Sequence, residues 1–190
     1  MVEIVRRTVL FGIPATLAMP AYAGEADERT ARTRARDFTF PSIEGGTLDL
    51  AAQSGRVLLV VNTASFCGFT YQYRALEKLH ADLGSNGLTV VGVPSQDFNQ
   101  EKATDGEVKQ FCEATFGVQF PMADITHVRG PQAHPFYRWV RAFDGWEPEW
   151  NFNKVLVSRS GVIAGHFGSA DEPGGPRVMA AVQKQLGIAA

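Results

Sequence analysis

Cysteine is scarce in this chain: Cys67 and Cys112 are the only two among 190 residues, and they lie far apart. Two thiols cannot assemble a four-thiolate zinc site or a cysteine-held iron–sulfur cluster within one chain, which leaves redox chemistry or a single disulfide. Charge of one sign is lacking as well. Lys and Arg number 18 against 20 Asp and Glu, and a net charge of −2 supplies no positive field for non-specific nucleic-acid binding. His80, His127, His134 and His166 show no metal-ligand spacing. No glycine-rich phosphate loop or dinucleotide fingerprint occurs either, so neither metal, cofactor nor nucleic acid is expected.

What is present is a composition of 45% apolar and 20% charged residues, which suits one globular domain with a real core. The first 23 residues read as an export signal rather than as part of that domain. Arg6 and Arg7 precede an apolar stretch over residues 9–19, and Ala21-Tyr22-Ala23 offers the small-x-small pattern of a cleavage site. The stretch falls short of the about 20 residues of a spanning helix, and Pro14 and Pro20 interrupt it. The paired arginines leave the general and twin-arginine export routes open. Either route makes the mature protein soluble and periplasmic or secreted. Residues 24–36, polar and dotted with Arg29, Arg32, Arg34 and Arg36, read as a mobile arm, and residues 37–190 as the folded domain.

Within the domain, residues 56–62 and 88–93 are short apolar runs without alternation, the pattern of central strands covered on both faces. Between them Tyr73, Leu76, Leu79, His80 and Leu83 recur at helical spacing, giving a βαβ unit with parallel strands. Thr104-Asp105-Gly106-Glu107 reads as a capping box for a helix whose face carries Val108, Phe111, Cys112, Thr115 and Phe116 and which stops at Gly117. Arg159-Ser160-Gly161 separates two β-rich runs as a hairpin turn, and residues 178–186 supply a last helix. These elements describe an α/β fold: a thioredoxin-like sandwich with a central mixed β-sheet flanked by helices.

Cys67 follows the carboxyl end of the first central strand, where open α/β sheets bind ligands, and precedes a helix start. Free N–H groups and the helix dipole there favour a thiolate. Thr70 stands where a Cys-x-x-Cys motif would place its second thiol, which disfavours an ordinary disulfide oxidoreductase. A lone thiolate suits peroxide cleavage through a sulfenic acid.

The segments Asn62-Thr63-Ala64-Ser65-Phe66-Cys67-Gly68-Phe69-Thr70, Phe111-Cys112, Phe116-Gly117-Val118-Gln119-Phe120-Pro121-Met122, Ala133-His134-Pro135-Phe136-Tyr137 and Trp150-Asn151-Phe152-Asn153-Lys154 resemble the glutathione peroxidase family in its cysteine-containing form. The resemblance runs in order over residues 37–186. It implies reduction of hydrogen peroxide and organic or lipid hydroperoxides, with Cys67 as the peroxidatic residue and Trp150 and Asn151 as uncharged donors beside its sulfur. It also implies that Cys112 is the resolving cysteine, that a thioredoxin-like protein or glutathione is the thiol reductant, and, from the short segment 141–149, that the protein is a monomer. One departure stands out. The family has a glutamine before a phenylalanine where this chain has Asp97 before Phe98, with Gln96 one position earlier. A carboxylate facing a thiolate would be repelled, so Asp97 must point away, stay protonated, pair with a cation or pass a proton to the leaving oxygen, whereas Gln96 could serve only if the loop shifts. Two other readings compete with the peroxidase: an exported thioredoxin-like disulfide reductase, and a non-catalytic binding domain stapled by one structural disulfide.

Overall fold

The computed structural model describes residues 30–189. The signal and most of the arm expected from the sequence lie outside these residues. The last part of the arm does not match a mobile segment: Ala35 is buried and its N–H bonds the Gly161 carbonyl at 2.9 Å. Gly161 has φ +80°, and a Cβ there would stand 3.1 Å from the Arg34 Cβ, so the hairpin turn and the chain entry are fitted to each other. The packed domain therefore begins before residue 37.

Two three-residue strands, β1 (Thr39–Pro41) and β2 (Thr47–Asp49), form an antiparallel hairpin. They are followed by β3 (Val57–Thr63), α1 (Tyr73–Leu83), β4 (Leu88–Pro94), α2 (Asp105–Phe116), α3 (Pro135–Asp144), β5 (Lys154–Val157), β6 (Ile163–Phe167) and α4 (Pro176–Leu186). The main sheet has the order β4-β3-β5-β6, with β3 parallel to β4 and antiparallel to β5. This is the expected mixed sheet. Every residue of β3 and β4 is buried, because both faces are covered.

Period-two alternation divides the core. Val57, Leu59 and Val61 face one layer with Leu76 and Leu79 of α1, Val108 and Cys112 of α2, and Val178 and Val182 of α4. Leu58 and Val60 face the other with Phe40, Leu50 and α3 residues Phe136, Trp139 and Val140. The capping box of α2 forms as read: the Thr104 hydroxyl accepts the Glu107 N–H, the Glu107 carboxylate accepts the Thr104 N–H, and Gly117 ends the helix in the left-handed region. The sequence reading assigned no element to β1, β2 or α3. Three-residue strands carry too little periodicity to register, whereas α3 has usable signals: Pro135 in its first turn, a His134 Nδ1 that accepts the Phe136 N–H, and Gly145 after its end.

Candidate active site

The strand β3 delivers the chain to a loop, 64–69, that holds Cys67 almost buried at the sheet's end. Thr70 staples this loop. Its hydroxyl donates to the Ala64 carbonyl at 2.9 Å and accepts the Cys67 N–H at 3.0 Å, while its own N–H bonds the Cys67 carbonyl. The residue standing in place of a second cysteine is thus a structural clasp. The sulfur accepts the Phe69 N–H at 3.5 Å. A 3-10 turn, Thr70–Gln72, separates Cys67 from α1, so the donor at sulfur comes from the loop and not from the helix end that the sequence suggested. Phe66, next to Cys67 in the chain, and Tyr71 and Trp150 are exposed aromatic side chains.

Trp150 and Asn151 are brought to this end of the sheet by a clamp on β3. The Asn62 side chain donates to the Trp150 carbonyl at 2.9 Å and accepts the Asn153 N–H at 3.1 Å, and the Asn62 carbonyl accepts the Phe152 N–H at 2.6 Å. Between them Phe152 adopts φ +60°, a left-handed conformation costing about 1 kcal/mol or more for a residue with a Cβ. Its ring is fully buried edge-on against Tyr73 at 5.4 Å, which offsets that strain by packing. Asn151 is fully buried. Its amide donates to Gln100 Oε1 at 2.9 Å, and its carbonyl accepts the Ser169 hydroxyl at 2.6 Å. The Trp150 ring leans on Phe98 at 5.4 Å.

The question left open at Asp97 is answered by geometry. Its carboxylate faces the 127–129 turn, accepting the N–H groups of Val128 at 2.7 Å and Arg129 at 3.2 Å and pairing with His127 Nδ1 at 2.6 Å. Of the open alternatives, it takes the pairing with a basic group, here an imidazole. Gln96 is exposed and its amide brackets residue 101, donating to the Glu101 carbonyl and accepting the Glu101 N–H. Neither Asp97 nor Gln96 has a hydrogen bond to the sulfur or to the Asn151 side chain among the described residues. The amide beside Asn151 belongs to Gln100, whose carbonyl also accepts the Phe66 N–H next to Cys67. Gln100 and Glu101 follow Phe98 with no spacing or periodicity in the sequence that marks them as part of the site.

A second missed group lies beneath the loop. Lys154 on β5 is fully buried, its ammonium donating to Gln72 Oε1 at 2.7 Å. Burial brings its pKa down to about 8, against the pull of Glu172 and Asp171. Gln72, also fully buried, donates onward to the Ser169 carbonyl, and the Ser169 hydroxyl is the group that holds Asn151. Cys112 sits on the inner face of α2, about 1% exposed and in the same core layer as Cys67. Burial pushes its thiol up to about 11. Both cysteines are free thiols. Among the described residues no cluster of His, Cys, Asp and Glu could hold a metal, and no helix is long and apolar enough to cross a membrane.

Comparison with known proteins agrees with this arrangement. The glutathione peroxidase family pattern matches residues 36–141. The hydroperoxy fatty acid reductase gpx1 of Synechocystis sp. is 39% identical over 160 residues, covering 78% of this chain and 94% of that protein. A crystal structure of Trgpx in apo form superposes with a TM-score of 0.66 at 30% identity, over 82% of this chain and 97% of the other. At 21% identity, a thioredoxin-family thiol:disulfide interchange protein from Chlorobium tepidum shares the fold, with a TM-score of 0.57 over 81% and 96% of the two chains. A thioredoxin-like sandwich with one stapled cysteine at its sheet end, matched at these levels, belongs to the glutathione peroxidase family of thiol peroxidases.

Proposed function

We propose that Cys67 is the residue at which this peroxidase reduces hydroperoxides, including those on apolar chains, and that Cys112 resolves the oxidised form. The single observation that carries the reading is the placement of the Cys67 sulfur. It is held at the end of β3 by Thr70, accepts the Phe69 N–H, and lies in a loop tied through Gln100 to Asn151. The sulfur attacks one peroxide oxygen, the O–O bond breaks, and the leaving oxygen departs as water or alcohol once protonated, with Cys67 left as sulfenic acid. The Trp150 and Asn151 N–H groups stabilise charge at this end of the sheet without adding any. Exposed Phe66, Tyr71 and Trp150 favour substrates with an apolar body, in keeping with the fatty-acid substrate named for the Synechocystis relative.

Cys112 then attacks the sulfenic sulfur, giving a disulfide and water, and an external thiol reductant restores both thiols. A dithiol protein of the thioredoxin kind fits this cycle better than glutathione, because it reduces an intramolecular disulfide in one exchange sequence. The thiol of Cys112 is buried, so α2 must shift to bring the two Cα atoms within about 7 Å. A cavity of about 360 Å³ lined by Cys112, Lys109, Phe120 and Met122 gives that helix room to move. The signal-like N-terminus supports export, and the short 141–149 segment supports a monomer. One equivalent of peroxide followed by mass spectrometry tests the scheme. A Cys67–Cys112 disulfide is expected, whereas sulfinic acid at Cys67 with Cys112 unmodified would remove the resolving role.

A further inference from the structure

Between the two cysteines lies a polar cluster that the peroxide step does not use. The hydroxyls of Thr63, Ser65 and Tyr73 and the Glu101 Oε2 are all buried with no well-formed hydrogen bond to a group outside the cluster, and they face one another: Tyr73 meets Thr63 and the Cys112 thiol, and Glu101 meets Ser65. Buried polar atoms are rarely left so, because each forfeits its hydration without return. Here they join the Cys112 thiol, through Tyr73, to a buried carboxylate. Glu101 is about 5% exposed, and its other oxygen accepts the N–H of Ser65 at 3.0 Å and of Lys102 at 2.8 Å. The carboxylate is therefore fixed to the loop that carries Cys67.

The same segment also touches the helix that carries Cys112. The Lys102 ammonium lies 4.6 Å from the Phe66 ring and 5.0 Å from the Phe111 ring, bridging the residues that immediately precede the two cysteines. Lys102, Glu113, Tyr73 and Glu101 are the charged and titratable groups that act on the Cys112 thiol. Glu113 is like Glu101 in charge but lies on the helix itself, more than half exposed at its side chain. Glu101 is the buried carboxylate among them.

We propose that Glu101 is the proton acceptor for Cys112 in the resolving step, with the hydroxyls of Tyr73, Thr63 and Ser65 forming the polar path between them. The proposal rests on the reading of Cys112 as the resolving thiol. Cys112 loses its proton to the Glu101 carboxylate as its sulfur lone pair forms the S–S bond, and the S–O bond of the Cys67 sulfenic acid breaks. The departing hydroxide takes the proton back from Glu101 and leaves as water. One thiol and one sulfenic acid become one disulfide and one water, and Glu101 ends as it began. A thiol with its pKa near 11 is almost wholly protonated at neutral pH, so without an acceptor its attack would be slow. Burial also raises the Glu101 carboxyl, with the Ser65 and Lys102 contacts opposing, which makes it a better base than an exposed glutamate.

The test follows both steps in the full mature protein after a peroxide pulse, with Cys67 sulfenic acid trapped and the Cys67–Cys112 disulfide counted by mass spectrometry. In Glu101→Gln, which keeps the side chain's size and an acceptor for the Ser65 N–H, the ratio of the resolving rate to the peroxide rate falls about tenfold or more at pH 7. It then climbs with pH as Cys112 ionises unaided, whereas the wild-type ratio stays level over pH 6.5–8.5. Tyr73→Phe, which leaves the carboxylate in place, lowers the ratio less. Equal ratios in wild type and Glu101→Gln across that range overturn the proposal alone. Absence of the disulfide in wild type overturns the reading of Cys112, and this proposal falls with it. Far-UV circular dichroism and the peroxide rate itself report whether the variants are folded.

Discussion

Cys67 and Cys112 share a side chain and a core layer, yet their surroundings are opposite in kind. Cys67 lies in a loop, receives a backbone N–H at its sulfur and follows the exposed Phe66. Cys112 lies within a helix whose backbone groups are occupied by the helix itself, so its sulfur meets apolar packing and the buried Tyr73 hydroxyl. Loop backbone has donors to spare and helix backbone has none, and that difference gives the proposed order, Cys67 first and Cys112 second, its physical basis.

The comparison breaks most visibly at the sulfur itself. Cys67→Ser is expected to lower peroxide consumption by roughly 10³-fold or more, to the background of the buffer. In the native wild type, iodoacetamide should label Cys67 at least about tenfold faster than Cys112, and unfolding in urea should erase the difference. Equal native labelling would show that the two environments do not sort the thiols.

A smaller effect sharpens the Cys67 side. Gln100→Ala removes the acceptor of the Asn151 amide, a hydrogen bond worth about 1 kcal/mol, and is expected to slow the peroxide step about tenfold by letting Asn151 wander. Asp97→Asn, whose target faces His127 and the 127–129 turn, should change the rate by less than about threefold. Stopped-flow measurement of the first turnover separates these; a larger loss in Asp97→Asn than in Gln100→Ala would reinstate position 97 in the site.

A last effect concerns stability. Lys154, buried under the Asn151 anchor, has its folded pKa at about 8, below the ordinary lysine value near 10.4. Below pH 8 it is protonated in both states and the folded protein bears the full burial cost. Between about 8 and 10 the unfolded chain binds more protons, so stability rises with pH. The gain reaches at most about 3 kcal/mol and is read as the difference in urea midpoints between wild type and Lys154→Met from pH 7 to 10, which cancels other titrating groups. A difference that stays flat with pH would mean the ammonium is hydrated in the fold.

Much of the scaffold was readable because its signals are local. The unalternated apolar runs of β3 and β4, the Thr104–Glu107 capping box and the Arg159-Ser160-Gly161 turn each specify their element within a few residues. The segment Cys67 to Thr70 was readable in kind, as a single-thiol site. Its wiring was not. That Asn62 clamps Trp150 and that Gln72, Ser169 and Lys154 support Asn151 from below are contacts between residues distant in sequence, and even the local Thr70 clasp has no periodicity to reveal it.

The chain by itself specified the buried strands β3 and β4, the helices α1, α2 and α4, the β5–β6 hairpin, a lone cysteine at the end of a buried strand and the absence of an adjacent partner thiol, because these depend on residue type and near-neighbour spacing. Tertiary structure alone decided which amide stands beside Asn151, where the Asp97 carboxylate turns, and how deeply Cys112 and Glu101 are withdrawn from water. Those outcomes depend on which distant backbone groups remain free to bond and on how much solvent each side chain keeps, and only the packed chain sets either one.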